Sequence, residues 1–261
     1  MEISLKGYKA LVGGGSRGLG KAIAIQLATC GAQVTIMARN EEKLKAVLKE
    51  LPAASGQQHD YLVVDFARIV DFENTLTKWF QHSQVDILIN NTNGPAAGGV
   101  LVKTAEDYQQ SFDLLFKTVC HTTMLALKGM QEKKFGRIIN LSSISVKEPL
   151  QNLVLSNTVR SAVLAWAKTL ARETAPTGIT VNNILTGYFD TERLDEINRS
   201  QSEKLGISLD AYKDKMKTEV PAGRFGDPKE FGWLVAFLAS EFSSYITGTN
   251  IPIDGGLLRS I

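Results

Sequence analysis

The sequence predicts an α/β fold: a doubly wound, seven-stranded parallel sheet in a single domain spanning residues 1–261. Three observations predict it. Apolar runs of strand length alternate with stretches of helical spacing, as in βαβ units whose strands are covered on both faces. A glycine-rich turn, Gly13-Gly14-Gly15-Ser16-Arg17-Gly18-Leu19-Gly20, lies between the first such run and the first helical stretch. The length, 261 residues with 44% apolar content, suits one large sheet with its covering helices.

In chain order, strands are expected at 9–12, 33–37, 61–64, 87–90, 136–141, 180–184 and 250–253, each a short apolar run. Between and around them, helical spacing covers 19–30, 41–51, 69–81, 105–133, 155–174 and 228–240. Right-handed crossovers set the carboxyl ends of such strands along one crevice, where ligands bind. Segment 188–220, polar and mixed in charge, stands between a strand and the last helix. It is either a lid over that crevice or a solvated helical excursion.

Composition excludes several classes of function. A net charge of +2 without a long Lys or Arg run leaves no footprint for nucleic acid or an anionic membrane, so small-molecule partners are expected. No apolar run approaches the ~20 residues needed to span a bilayer, and the first seven residues, 1–7, carry no leader pattern. Cys30 and Cys120 are too few for a disulfide framework and sit in apolar helical stretches, as small buried hydrophobes do. A cytoplasmic protein fits these features. His59, His82 and His121 show no ligand spacing with the cysteines, so no metal is expected.

Glycines permit a tight turn and the close approach of a diphosphate, and the helix starting near Leu19 presents free N–H groups to the anion. The spacing Gly14-x3-Gly18-x-Gly20 resembles the short-chain dehydrogenase/reductase family, a Rossmann-type fold. The resemblance implies Gly14, Ser16, Arg17, Gly18, Leu19 and Gly20 around the cofactor phosphates. An acidic residue ends the second strand in NAD-binding members. Here Ala38-Arg39 stands there, and the guanidinium groups of Arg39 and Arg17 suit a 2′-phosphate, which implies NADP(H). Asp65, with Phe66 beside it, resembles the adenine contact. Asn91 stands in Asn90-Asn91-Thr92-Asn93-Gly94, where the family usually shows Asn-Asn-Ala-Gly. Gly187 follows Thr186 in place of Pro-Gly, and Thr191 matches the threonine near the nicotinamide. The stretch from Gly223-Arg224-Phe225-Gly226-Asp227-Pro228 to Asp254-Gly255-Gly256 resembles the 3-oxoacyl carrier-protein reductase branch.

The resemblance also implies a catalytic set that this chain alters. Ser143, in Asn140-Leu141-Ser142-Ser143, matches the serine that steadies the substrate oxygen. Ser156 stands at the position of the proton-donating Tyr and Arg160 at that of its Lys, while Leu115 aligns with the relay Asn. A serine is a far weaker acid than a phenol, and an arginine stays protonated. Arg160 remains suited to the nicotinamide ribose or to a substrate carboxylate or phosphate. Tyr188 is either a replacement acid or a wall of the pocket, and Lys147 and Glu148 are further candidates.

The implied activity is an NADP(H)-dependent oxidoreductase interconverting carbonyls and alcohols; the alternative is an NADP(H)-binding sensor or scaffold without turnover. Family members associate through the fourth and fifth helices, implying a homotetramer or homodimer. Val163, Leu164, Ala167, Leu170 and Ala171, with Leu114, Val119 and Leu125, suit that interface or packing against the sheet.

Overall fold

The computed structural model describes residues 2–54 and 56–260; Met1, at the head of the stretch read for a leader, Ser55 and Ile261 lie outside the described residues. Seven strands form one sheet: β1 Lys9–Gly13, β2 Gln33–Ala38, β3 Asp60–Val63, β4 Ile87–Asn90, β5 Gly136–Ser143, β6 Ile179–Thr186 and β7 Asn250–Ile253. All are parallel, in the order β3-β2-β1-β4-β5-β6-β7. The order reverses at β1, which opens a crevice beyond the carboxyl ends of β1 and β4.

Alternation along each strand divides the core. Ala10, Val12, Ile87 and Ile89 face one side, with α1 (Gly18–Thr29), α2 (Glu41–Glu50) and α9 (Pro228–Ala239) packed over it. Leu11 and Leu88 face the other, beneath α3 (Ile69–Phe80), α5 (Thr118–Lys133) and α6 (Val154–Thr174). Val119, Val163, Ala167, Leu170 and Ala171 are buried in this structure, the last three within that second core. Packing against the sheet accounts for Ala167, Leu170 and Ala171. Met124 on α5 and Phe112, just ahead of it in the chain, are left exposed, with Phe112 stacked on Phe116 and Phe116 edge-on to Trp166.

Three differences from the sequence expectation bear on the site. β5 and β6 each run two residues further, to Ser143 and Thr186, because eight consecutive pairs hold them in register. The helix expected over 105–133 consists of α4 (Ala105–Phe112), a π-helical turn at Asp113–Lys117, and α5. Segment 188–220 forms α7 (Glu192–Leu205) and α8 (Leu209–Glu219), capped by the side chains of Thr191 and Ser208. The buried positions on α7 are polar, Asn198 and Ser202, and none is buried on α8, so no apolar stripe announces either helix. Cys30 and Cys120 are free and half-buried, and burial pushes both thiols up, Cys120 to about 11.

Helix α9 carries a pH-sensitive start. Glu230 accepts both guanidinium Nη groups of Arg224, at 2.8 and 2.7 Å, and the Asp227 backbone N–H at 2.8 Å. These contacts, Arg224 first, lower its carboxyl from 4.5 to about 2. A depressed carboxyl pKa stabilises the fold above the unfolded value, and that contribution fades as pH falls through the folded one. Glu230→Gln is therefore expected to lower the urea midpoint at neutral pH, with the gap to the parent closing between about 4.5 and about 2. A gap independent of pH would refute this.

Candidate active site

The glycine turn joins the end of β1 to the start of α1. Gly14 and Gly18 adopt φ of +59° and +53°, the left-handed region that glycine enters without strain. A Cβ on Gly15 would lie 2.7 Å from Cβ of Ile36, and one on Gly20 would run into the Gly14 carbonyl oxygen. Asn91 Nδ2 donates to the Gly13 carbonyl at 3.0 Å, tying the turn to the end of β4. No side chain caps α1 and no acid stands in its first turn, so its leading N–H groups and positive dipole end are open to an anion. Ser16 and Leu19 are half-buried along this turn. The close-packed glycines and open helix end form a cradle that fits a dinucleotide diphosphate.

Beside it, a cavity of about 580 Å³ is lined by Arg39, Asn40, Val64, Asp65, Arg68 and Thr75, among others. Arg39 is exposed, and among the described residues no ion pair holds it. Arg68, which the sequence reading passed over, pairs with Asp71 at 2.7 Å. Its signal was its place three residues after Asp65, at the mouth of the third strand. The Asp65 carboxylate accepts the Ala67 N–H, and Phe66 packs against Phe72.

Arg17 stands elsewhere than beside Arg39's open guanidinium in function: its Nη1 is held by Glu196 at 2.6 Å and Glu192 at 3.3 Å. It therefore pins α7 to the glycine turn. Thr191, at the head of that helix, would lie 3.7 Å from a Cβ on Gly18.

At the far side of the crevice, Ser143 ends β5 opposite Thr186 of β6. Ser143 Oγ accepts the Ser145 N–H at 3.1 Å. Arg160 on α6 donates from Nε to Ser156 Oγ at 3.2 Å and from Nη1 to the Leu141 carbonyl at 2.6 Å. Ser156 and Arg160 are thereby fixed against the strand that carries Ser143. Desolvation draws the Arg160 guanidinium down to about 10, which leaves it a cation at neutral pH. Leu115 is buried within the π turn, a feature that recurs at functional sites.

The other candidate acids are engaged differently. Tyr188 lies edge-on to Phe225, and burial, then Glu219 and Tyr212, push its phenol up, opposite to what a proton donor needs. Glu148 Oε1 accepts the backbone N–H groups of Arg259 and Ser260 at 2.8 and 2.7 Å, which keeps it ionised and holds the tail against the loop after β5. Lys147 is exposed. Gly187 lies where a Cβ would be 2.6 Å from Asp254 Cα, so β6 and β7 close together at the crevice.

A row of asparagine side chains joins β4, β5, β6 and β7. Asn90 donates to Asn140 at 2.8 Å, Asn140 to Asn183 at 2.9 Å and Asn183 to Asn250 at 2.8 Å, a single-polarity amide ladder across β4 to β7. Its signal in the sequence was an Asn in each of these strands. A second cavity, about 430 Å³, lies at the opposite edge beside Lys9 and Gln84 and holds none of these residues. Among the described residues there is no group of three potential metal ligands, and no helix is long and apolar enough to cross a membrane.

Residues 14–258 match a family described as enoyl-(acyl carrier protein) reductase. The chain is 31% identical over 262 residues to the 3-oxoacyl-(acyl-carrier-protein) reductase FabG of Aquifex aeolicus, covering 98% of this chain and 100% of that one. It is 32% identical to the NADPH-dependent reductase BacG of Bacillus subtilis, over 97% and 98% of the two chains. The structure is similar to that of L-sorbose reductase from Gluconobacter frateurii complexed with NADPH and L-sorbose, with a TM-score of 0.92, 27% identity and complete coverage of both chains. With the parallel sheet, its order and the glycine turn, these matches establish that the chain belongs to the short-chain dehydrogenase/reductase family.

Proposed function

We propose that the chain is a cytoplasmic NADP(H)-dependent oxidoreductase acting on a small carbonyl or alcohol substrate, working as a homodimer or homotetramer. The observation that carries this reading is the shared edge: the open glycine cradle, the Arg39 cavity and the Ser143–Ser156–Arg160 cluster all stand at carboxyl ends of the parallel strands. The bound dinucleotide supplies or accepts a hydride. Gly14, Ser16, Gly18, Leu19 and Gly20 with the first turn of α1 hold the diphosphate. Arg39 takes the 2′-phosphate, for which Arg17 becomes available only by leaving Glu192 and Glu196. Asp65 and Phe66 border the adenine, Asn91 braces the turn, and Gly187 and Thr191 border the nicotinamide end.

Ser143 and Ser156 grip the reacting oxygen. Because Ser156 Oγ already accepts from Arg160 Nε, its own proton is free to point at that oxygen. The neighbouring cation stabilises negative charge developing there. Tyr188 serves as a pocket wall, since its proton is held more tightly than a free phenol's.

NADPH and NADH titrations, followed by energy transfer from Trp79, Trp166 or Trp233, test the cofactor. NADPH is expected to bind at least about 10-fold more tightly, a gap that Arg39→Ala closes. Ser143→Ala is expected to lower carbonyl turnover roughly 10²–10³-fold while NADPH affinity stays within about twofold. Equal binding of both dinucleotides would refute the NADP(H) assignment, and elution as a monomer alone would refute the oligomer. A second reading, an NADP(H)-binding sensor or scaffold, is favoured by the raised Tyr188 phenol and the apolar Leu115; it predicts NADPH binding without turnover of any carbonyl.

A further inference from the structure

Arg137, buried, and Arg160, half-buried, are satisfied very differently. Arg137 is 2% exposed, and its guanidinium donates to the Ser240, Gly136 and Gly178 carbonyls and lies 4.3 Å from the centre of the Phe135 ring. Carbonyl oxygens and a π face saturate that cation, as a structural role requires. Arg160 has only Ser156 Oγ and the Leu141 carbonyl. Of the five N–H groups a guanidinium carries, three find no acceptor among the described residues, and no carboxylate pairs with it. Arg160 is half-buried, and a cation partly removed from water and left without a counter-ion is a ready partner for an anion. The missing anion is therefore to be sought in a ligand.

The cofactor does not provide it. On the reading above, its diphosphate lies at the glycine turn and its 2′-phosphate at Arg39, while the nicotinamide ribose is neutral. The remaining ligand is the substrate. Arg160 Nε touches the same Ser156 hydroxyl that would hold the reacting oxygen, so an anion on the other edge of the guanidinium belongs to an atom close to that carbonyl. Ser142, next in the chain to the Leu141 whose carbonyl Arg160 holds, has a buried hydroxyl without a partner, as does Ser145. A planar fork with unused donors matches a carboxylate, which it can grip through two parallel bonds.

We infer that the substrate is a short oxo acid, with a free carboxylate one or two carbons from the reacting carbonyl, and that Arg160 is the residue that selects it. The inference rests on the reductase reading, and it separates this chain from members that act on carbonyls with no nearby charge. A lysine at this position would meet the carboxylate as a point charge; the arginine meets it along an edge.

The test compares 2-oxobutanoate, acetoacetate and 2-oxooctanoate with their methyl esters. Turnover is followed as NADPH oxidation, and binding as heat released by the protein saturated with NADP+. At least one free acid is expected to exceed its ester by at least about 30-fold in kcat/KM and in affinity, the scale of a desolvated charge pair. Arg160→Met should collapse the acid-to-ester ratio toward one, and Arg160→Lys should restore part of it. Esters bound and turned over as well as the acids would overturn the inference and leave the reductase reading intact. Arg160-dependent binding of an acid without turnover would sustain Arg160 as a carboxylate site but overturn the acid as substrate, together with the reductase reading. Failure of every acid to bind the NADP+ complex would overturn it. Should Arg160→Met not fold, the acid-to-ester ratio of the unaltered protein and of Arg160→Lys decides.

Discussion

Gly20→Ala is expected to abolish measurable NADPH binding, a loss of at least about 100-fold, while the circular dichroism of the protein stays that of an α/β fold. Gly20 has an ordinary negative φ, so the loss comes from contact and not from backbone preference. Its Cβ would run into the Gly14 carbonyl oxygen and lie 3.0 Å from Asn91 Nδ2. Neither neighbour can yield cheaply, since one is backbone and the other is tied to the Gly13 carbonyl. To relieve the clash the turn must open, which carries Gly14 away from the end of α1 and dissolves the cradle. Gly18→Ala is the contrast. Its φ of +53° imposes strain of roughly 1–2 kcal/mol, but Thr191 at 3.7 Å leaves room for the methyl. A loss of about 5–30-fold is expected there, as that strain converts to affinity. Fluorescence titration of the two variants side by side checks the ranking, and equal losses would refute the steric account.

Asn140→Ala is expected to destabilise the protein by about 3 kcal/mol, seen as a fall in Tm of roughly 6–12 °C for a chain of this size. Asn140 is 1% exposed and sits in the middle of the amide ladder, accepting from Asn90 and donating to Asn183. Its removal strands an acceptor on Asn183 in a place water does not reach, and leaves Asn90 with Thr123 Oγ1 as its other partner, at 3.1 Å. It also empties side-chain volume between two central strands. Asn250 ends the ladder, only accepts, and is exposed, so water can replace it. Asn250→Ala is expected to cost about 1 kcal/mol or less. Thermal unfolding that finds the two variants equal would show that the ladder does not hold the four strands together.

Much of this molecule was legible in its sequence because the signals are local. The seven strands and the glycine turn follow from runs and spacings within a dozen residues, while Ser143, Ser156 and Arg160 were found through the resemblance to the short-chain dehydrogenase/reductase pattern. The π turn was not legible: Asp113–Lys117 has helical spacing, and the extra backbone residue per turn leaves no mark in the apolar pattern. Helices α7 and α8 were legible only as one of two alternatives for 188–220, because they turn polar residues inward or bury nothing. Ser142, Ser143 and Thr186, at the ends of β5 and β6, bear hydroxyls, and their pairing across the two strands makes them strand.

The sequence by itself determined the order of elements, the parallel sheet, the glycine turn and the residue types at the crevice, since these depend on periodicity and on the conformational freedom of glycine. Tertiary structure alone decided what each charged or acidic group is free to do. Arg17 is engaged by Glu192 and Glu196, Glu148 by the backbone of Arg259 and Ser260, and the Tyr188 phenol is raised through burial beside Phe225. Arg160 is left half-satisfied against Leu141. Charge, desolvation and hydrogen bonding act through space over a few ångströms, and these partners lie tens to more than a hundred residues apart in the chain, so no local pattern encodes them.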